Sequence, residues 1–273
     1  MRVAVVGHVE WAEFARVERV PRPGEIVHAS EAWEDVGGGG AVAAVQLARL
    51  AGECLFLTAL GDDDLGRRAE RRLEELGVRV EAGSRPEAQR RAFVHTDAAA
   101  ERTITVIGER VGPHGDDPVP WEELERADGV YFTAGDAAAA RAARAARSMV
   151  ATVRAKRVLS AAGVQVDLLV ASASDAGESY TGGDLEPPPL RVARSEGADG
   201  GSVTALDGTV TRWAAAPLPG PPVDAYGAGD SFAGGVTQGL AAGWDLSAAL
   251  ELGARCGAAC MTGRGPYEGQ LGR

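Results

Sequence analysis

Asp230 is the carboxylate on which a chemical reading of this sequence turns. It closes the run Asp224-Ala225-Tyr226-Gly227-Ala228-Gly229-Asp230, after a proline-rich connector at Pro217–Pro222 and before the small, apolar stretch Phe232–Ala242. Proline cannot continue a helix, and the apolar stretch reads as a buried one. Gly227-Ala228-Gly229 therefore falls at the turn that opens a helix. The first N–H groups of a helix have no internal partner and the helix dipole adds positive potential there, so such a turn attracts anions. A carboxylate at that place is an ordinary N-cap, or, beside a bound phosphate, a base for the proton of an attacking hydroxyl. A second glycine run, Gly37-Gly38-Gly39-Gly40, leads into an Ala/Leu/Val helix over Ala41–Ala51, closed by Gly52. The helix that follows at once favours close approach of ligand to backbone over a flexible linker.

These turns need a scaffold, and the chain is long enough for one. It has 273 residues, 45% of them hydrophobic and 25% charged, as in soluble globular proteins. The net charge of −11 argues against a nucleic-acid partner. Lys156 is the sole lysine, so no P-loop Gly-Lys-Ser/Thr exists. Cys54, Cys256 and Cys260 form no disulfide framework and read as small core residues. The N-terminal apolar run is short and is followed by His8 and Glu10, a first strand rather than a signal peptide. No run approaches the roughly 20 apolar residues that span a bilayer. A cytoplasmic location is expected, with no membrane partner.

Taken in order, Val3–Val6 reads as a buried parallel strand. Phe14–Trp33, with its prolines, reads as exposed strands and a turn. Cys54–Leu60 is a strand, Gly61–Leu76 opens an amphipathic helix capped by its aspartates, and Gly77–Val80 is a strand. Arg91–Thr96 and Thr103–Ile107 alternate about a turn and read as a hairpin. Trp121–Arg126 is a short helix and Val130–Thr133 a strand. The Ala/Arg run Ala137–Arg154 is expected to be one helix, and Val158–Ser160 and Leu168–Ala171 are expected to be strands. Leu190–Ala193 is a strand, a hairpin turns at Asp207-Gly208, and Leu246–Met261 is a helix. Alternation of strands and helices predicts an α/β fold, a three-layer, doubly wound, mostly parallel sheet. Residues 1–273 are expected to form a single domain, with a small β-sheet lid from about 12–35 and 90–108.

The string ending in Asp230 resembles the C-terminal signature of the ribokinase-like (PfkB) sugar kinases, Asp-Thr-x-Gly-Ala-Gly-Asp, with Ala225 in place of the threonine. The resemblance implies that Gly227, Ala228 and Gly229 form the anion hole for the transferred phosphoryl group and that Asp230 is the catalytic base. It also implies that backbone carbonyls of Asp224 and Tyr226 hold a monovalent cation such as K⁺. Gly37–Val42, running into Leu47-Ala48-Arg49-Leu50, resembles the family's first signature, Gly-Gly-x-Gly-Ala-Asn. Gly38, Gly39 and Gly40 would then face the substrate, with Val42 where the family has a sugar-binding Asn. Asp175 and Glu178 resemble its Asn-x-x-Glu, tied to Mg²⁺ through water; a helix start is the alternative. Ser195, Gly197, Gly200 and the loop holding Gly263 and Gly265 resemble its nucleotide side. Arg102 lies in a segment similar to one that enters the sugar pocket, or is a solvated hairpin residue. In this family the lid often makes a homodimer.

The implied activity is ATP-dependent, Mg²⁺-assisted phosphorylation of a hydroxyl on a sugar, nucleoside or related polyol. Two rivals remain at this point: a dinucleotide oxidoreductase, and a catalytically silent binding protein that kept the fold. Counting from Gly7 places Ala12 where the family commonly has a sugar-binding Asp, with Glu10 and Glu13 beside it. Apolar Ala12 and Val42 predict that free ribose and fructose are poor substrates and that a nucleoside or partly apolar polyol does better.

Overall fold

The computed structural model describes residues 1–273. Val3–Val6 (β1) is a buried strand at the centre of a nine-stranded sheet. Its alternate side chains serve two cores: Val3 and Val5 join a cluster of 37 buried residues, Ala4 and Val6 one of 22. The chain next makes Glu10–Arg16 (β2) and Glu31–Gly37 (β3), then Gly39–Ala51 (α1), Cys54–Gly61 (β4), Asp64–Glu75 (α2) and Val78–Arg85 (β5). Arg91–Thr96 (β6) and Arg102–Ile107 (β7) follow. β2, β3, β6 and β7 form a separate four-stranded sheet in the order β3-β2-β6-β7. β2 is largely buried rather than exposed as expected, because it lies inside that sheet between β3 and β6. Asp63 caps α2 by accepting from the Gly66 amide at 2.8 Å, the capping role read from the sequence.

The main sheet continues with Gly129–Phe132 (β8), Met149–Thr152 (β9), Leu168–Ser172 (β10), Arg191–Ser195 (β11), Gly201–Ala205 (β12) and Val210–Trp213 (β13). Its order is β13-β12-β11-β10-β9-β8-β1-β4-β5, parallel except for the β11-β12-β13 end. Ala228–Ala241 (α5) and Leu246–Cys260 (α6) pack with α1 on one face. Ala137–Ala143 (α3) and Lys156–Ala162 (α4) cover the other.

Two expectations fail in one region. Ala137–Arg154 is not a single helix: α3 stops at Ala143, and Met149–Thr152 is β9, with all four residues buried. Helix propensity is a weak prior, and burial of Met149, Val150 and Ala151 between β8 and β10 outweighs it. Val158–Ser160 is not a strand but part of α4, which buries Leu159 and ends at Gly163 in the left-handed region. The three cysteines are free and buried, as core residues.

Candidate active site

Strand order reverses at β1, whose successor in the main sheet, β4, lies on one side while β8 lies on the other. Open α/β sheets bind ligands outside the carboxyl ends of the strands at such a point. His8 and Glu10 follow β1, Thr133 follows β8, Arg154 follows β9, and Asp175 and Glu178 follow β10. β1 leads to the lid strand β2 rather than to a glycine-rich helix start, which removes the dinucleotide-binding arrangement.

Two helix N-termini converge there. α1 begins after Gly38, at φ 89°, and α5 after Gly227, at φ 82°, both left-handed conformations that favour glycine. A methyl group added at Gly39 would lie 2.7 Å from Asp230 Oδ1, so the first turn of α1 faces the carboxylate. The two glycine turns are joined directly, since the Gly38 amide donates to Tyr226 Oη at 3.0 Å. Nothing stands within 4 Å of the place where a Gly229 side chain would project, so that face of the α5 terminus is open to a ligand.

Asp230 is partly open to the cleft. Burial of its carboxyl, reinforced by the Glu178 carboxylate, pushes its pKa up from 3.8 to about 7, while Arg102 and Arg154 pull the other way. A carboxylate poised near neutrality suits a base. Glu10 is buried, with its pKa raised by that burial, and sits 3.0 Å from Arg90 Nε. Glu13 instead pairs with Arg91. Arg102 is exposed on β7 yet near enough to act on Asp230.

Asp175 and Glu178 lie on a single 3-10 turn, where Asp175 caps the Gly177 amide at 2.8 Å. Arg154 binds both carboxylates, with Nε 2.8 Å from Glu178 Oε1. Two such carboxylates suit a Mg²⁺ ion that keeps most of its waters and takes its other ligands from phosphate. Ala12 and Val42 are 0% and 1% exposed and lie in the larger core cluster. Val42 packs toward the Gly227 turn, its Cγ1 2.9 Å from where a Gly227 methyl would sit.

On the proposed nucleotide side, Ser195 ends β11 and Gly197 has open space before it. A methyl at Gly200 would lie 2.2 Å from the Trp213 carbonyl, so backbone packing alone requires that glycine. Gly263 abuts Gly269 in the same way. The Gly265 amide donates to Asp224 Oδ2 at 3.2 Å, joining the C-terminal loop to the α5 turn. Asp224, fully buried, also accepts from the Tyr226 amide at 2.9 Å, and the Tyr226 carbonyl accepts from Cys260 Sγ at 3.6 Å.

Sequence reasoning missed Arg90, Arg110, Arg154, His8 and Thr133. His8 and Thr133 stand at the ends of expected strands, which was the available signal. The arginines are scattered among 27 in an arginine-rich chain and carry none.

A mostly parallel sheet with a lid, and a carboxylate between two glycine-lined helix starts, define a phosphotransferase of the ribokinase fold. The chain belongs to the pfkB family of carbohydrate kinases, whose profile matches residues 1–178 and 190–271. It is 31% identical, over 94% of its length and 91% of the relative's, to an ATP-dependent ribose-1-phosphate kinase of Halopiger xanaduensis. In fold it is similar to a ribokinase from Giardia lamblia, with TM-score 0.82, 17% identity, and 100% and 96% of the two chains covered. It is also similar to an Arabidopsis thaliana ribokinase complexed with ribose and ATP, with TM-score 0.75, 19% identity, and 98% and 96% covered. The protein is an ATP-dependent kinase of sugar or nucleoside hydroxyls. No helix is long and apolar enough to cross a membrane.

Proposed function

We propose that Asp230 takes the proton of the acceptor hydroxyl as that oxygen attacks the γ-phosphorus of ATP. The carrying observation is its largely buried carboxyl, poised near pH 7, facing α1 across the cleft while the α5 terminus behind it stands free. The new O–P bond forms as the bond to ADP breaks, and amides of Gly227, Ala228 and Gly229 stabilise the charge on the phosphoryl oxygens. Mg²⁺, when bound, supplies further neutralisation of the phosphates. Asp175 and Glu178 would hold it through its waters, with Arg154 keeping the two carboxylates in place. Ser195 and Gly197 flank the nucleotide. The carbonyls of Asp224 and Tyr226 are the candidates for K⁺.

Gly38, Gly39, Gly40 and Glu10 bound the acceptor, with Arg102 reaching in from the lid. Free ribose and fructose are poor acceptors, because Ala12 and Val42 offer no hydrogen bond to their hydroxyls. Nucleosides are one alternative. Sugar phosphates are another, supported by the substrate named for the Halopiger relative. The lid pairs two copies through β7, whose Ile104, Val106 and Ile107 are exposed. The test of the reaction is ADP release over a panel of sugars and nucleosides with Mg²⁺, with and without K⁺. Absence of ADP release with every acceptor would overturn the kinase mechanism.

A further inference from the structure

The turn that opens α1 is ringed by side chains from separate parts of the chain, with a different group at each glycine. A methyl at Gly39 would meet Asp230, and one at Gly38 would lie 3.3 Å from Glu10 Cγ. At Gly37 it would lie 2.5 Å from Tyr226 Oη and 3.3 Å from Ala12 Cβ. The base, a second carboxylate and a phenol are thus set side by side along the turn. Gly37 and Gly39 are two residues apart, at most about 7.6 Å at 3.8 Å per residue. That is the reach of one sugar ring, so a molecule that offers a hydroxyl to Asp230 brings its far side to Tyr226.

Tyr226 has hydrogen-bonding capacity to spare there. Its Oη accepts from the Gly38 amide at 3.0 Å, and no group of the protein accepts the phenol's own proton. A phenol can accept and donate at once, and here only the accepting side is used. Tyr226 is 5% exposed, and a tyrosine hydroxyl so buried normally finds partners. Burial, reinforced by the charges of Glu10 and Asp230, raises its pKa, so the group keeps its proton for donation. The phenol is also held in place. The Phe14 ring of β2 meets it edge-on, with centroids 5.1 Å apart, and the Gly38 amide fixes its oxygen. Ala12 beside it offers no polar side-chain atom, which leaves the phenol as the polar group at that end of the turn.

We propose that Tyr226 is a specificity-determining residue of the kinase. Its hydroxyl, oriented by the Gly38 amide, donates to an oxygen of the acceptor across the ring from the hydroxyl that Asp230 deprotonates. This rests on the kinase reading above. Glu10 and Tyr226 then read different oxygens. An ionised carboxylate only accepts and so selects a hydroxyl, whereas the free side of the phenol donates and also takes an oxygen without hydrogen, such as a ring or ether oxygen. The same hydroxyl fills the space beside Gly37 and Ala12, so it limits the depth of the pocket at that end. The contact lies away from the reacting oxygen and is made equally in ground and transition states. It therefore acts on KM rather than on kcat.

The test combines ADP release with calorimetric titration in the absence of ATP. Ribose, fructose, ribose 1-phosphate, adenosine, inosine and cytidine are compared on wild type and Tyr226→Phe. For the acceptor that leads the wild-type panel, Tyr226→Phe should raise KM and Kd by about 5–20-fold, the worth of a buried hydrogen bond, with kcat within about threefold and the KM for ATP unchanged. A fall in kcat with unchanged KM would overturn the proposal, since the phenol would then only join the two glycine turns. Unchanged kinetics, or a rise confined to the KM for ATP, would overturn it as well. Gly37→Ala gives an independent reading of where the hydroxyl stands. Alone, its methyl collides with Tyr226 Oη and should raise the acceptor KM. In the Tyr226→Phe background the nearest atoms are 3.3 Å away, and the methyl should add less than about twofold. Equal effects of Gly37→Ala in both backgrounds would refute the placement. If no acceptor releases ADP but calorimetry still shows binding that Tyr226→Phe weakens, the contact stands and the kinase reading fails. Titrations identical for the two proteins would sink the contact itself.

Discussion

Asp230→Asn should move activity and stability in opposite directions. Burial and Glu178 raise the carboxyl pKa from 3.8 to about 7. At about 1.4 kcal/mol per unit, carrying the negative charge in the folded cleft costs up to about 4 kcal/mol. The group is partly open to solvent, which screens part of this, and about 1–2 kcal/mol should be measurable. Well below pH 4 the carboxyl is protonated in both folded and unfolded chains, and the cost is absent. As pH rises toward 7 the unfolded chain releases its proton first, so the folded state loses stability steadily. Above about 7 both are ionised and the loss is full. Asparagine carries no charge, so the variant should match wild type near pH 4 and gain Tm by about 2–8 °C at pH 8, at 2–4 °C per kcal/mol. Turnover should meanwhile fall by on the order of 10²–10⁴. Thermal unfolding followed by tryptophan fluorescence from pH 4.5 to 8.5 reads the first, and ADP release the second. A gain in Tm that does not change with pH, or turnover within a few-fold of wild type, would refute the reasoning.

In wild type, kcat/KM should rise with pH along a limb centred near 7, and that limb should vanish in Asp230→Asn; a limb surviving the substitution assigns it elsewhere. Gly229→Ala meets open space and should raise helix stability by about 0.5–1 kcal/mol while lowering turnover at least about tenfold, because the methyl intrudes on the approach to the amides. Gly227→Ala should cost at least about 1–2 kcal/mol in chemical denaturation, since its φ is 82° and its methyl would sit 2.9 Å from Val42. Glu178→Gln should shift the Mg²⁺ titration more than the acceptor KM; an unchanged titration would leave Glu178 only its ion pair with Arg154. Charged residues at Ile104 and Val106 should yield monomers by light scattering if β7 pairs two copies, whereas an unchanged mass would place any interface elsewhere.

Legibility in the sequence followed local chemistry. Glycine runs before apolar helices located both α1 and α5, because a tight turn and a buried small-residue face are each written in consecutive residues. The β6–β7 hairpin was equally plain from its alternation. The region 137–162 was misread because alanine favours a helix wherever tertiary contacts are silent, and only the neighbours β8 and β10 make Met149–Thr152 a strand. The cavity lined by Arg110 and Arg154 at the ends of β8 and β9 was illegible for a related reason, since the two arginines come from separate connections and meet only through the sheet. Nor could spacing show that Asp175 and Glu178 share one guanidinium.

The bond from the Gly38 amide to Tyr226 Oη spans 188 positions of chain, and it sets an order of events during synthesis. The Gly37–Gly40 turn and α1 leave the ribosome well before α5, the helix that covers them and carries Asp230. Until then Ala41, Val42, Ala44 and Val45, each at most 1% exposed in the finished protein, have no α5 to cover them. Gln270, which donates to the Val42 carbonyl at 3.0 Å and to Ser231 at 3.1 Å, closes that seam only after α6 has also been made. A nascent chain that has not yet reached α5 therefore carries an uncovered apolar helix and needs shelter from aggregation until α5 is made.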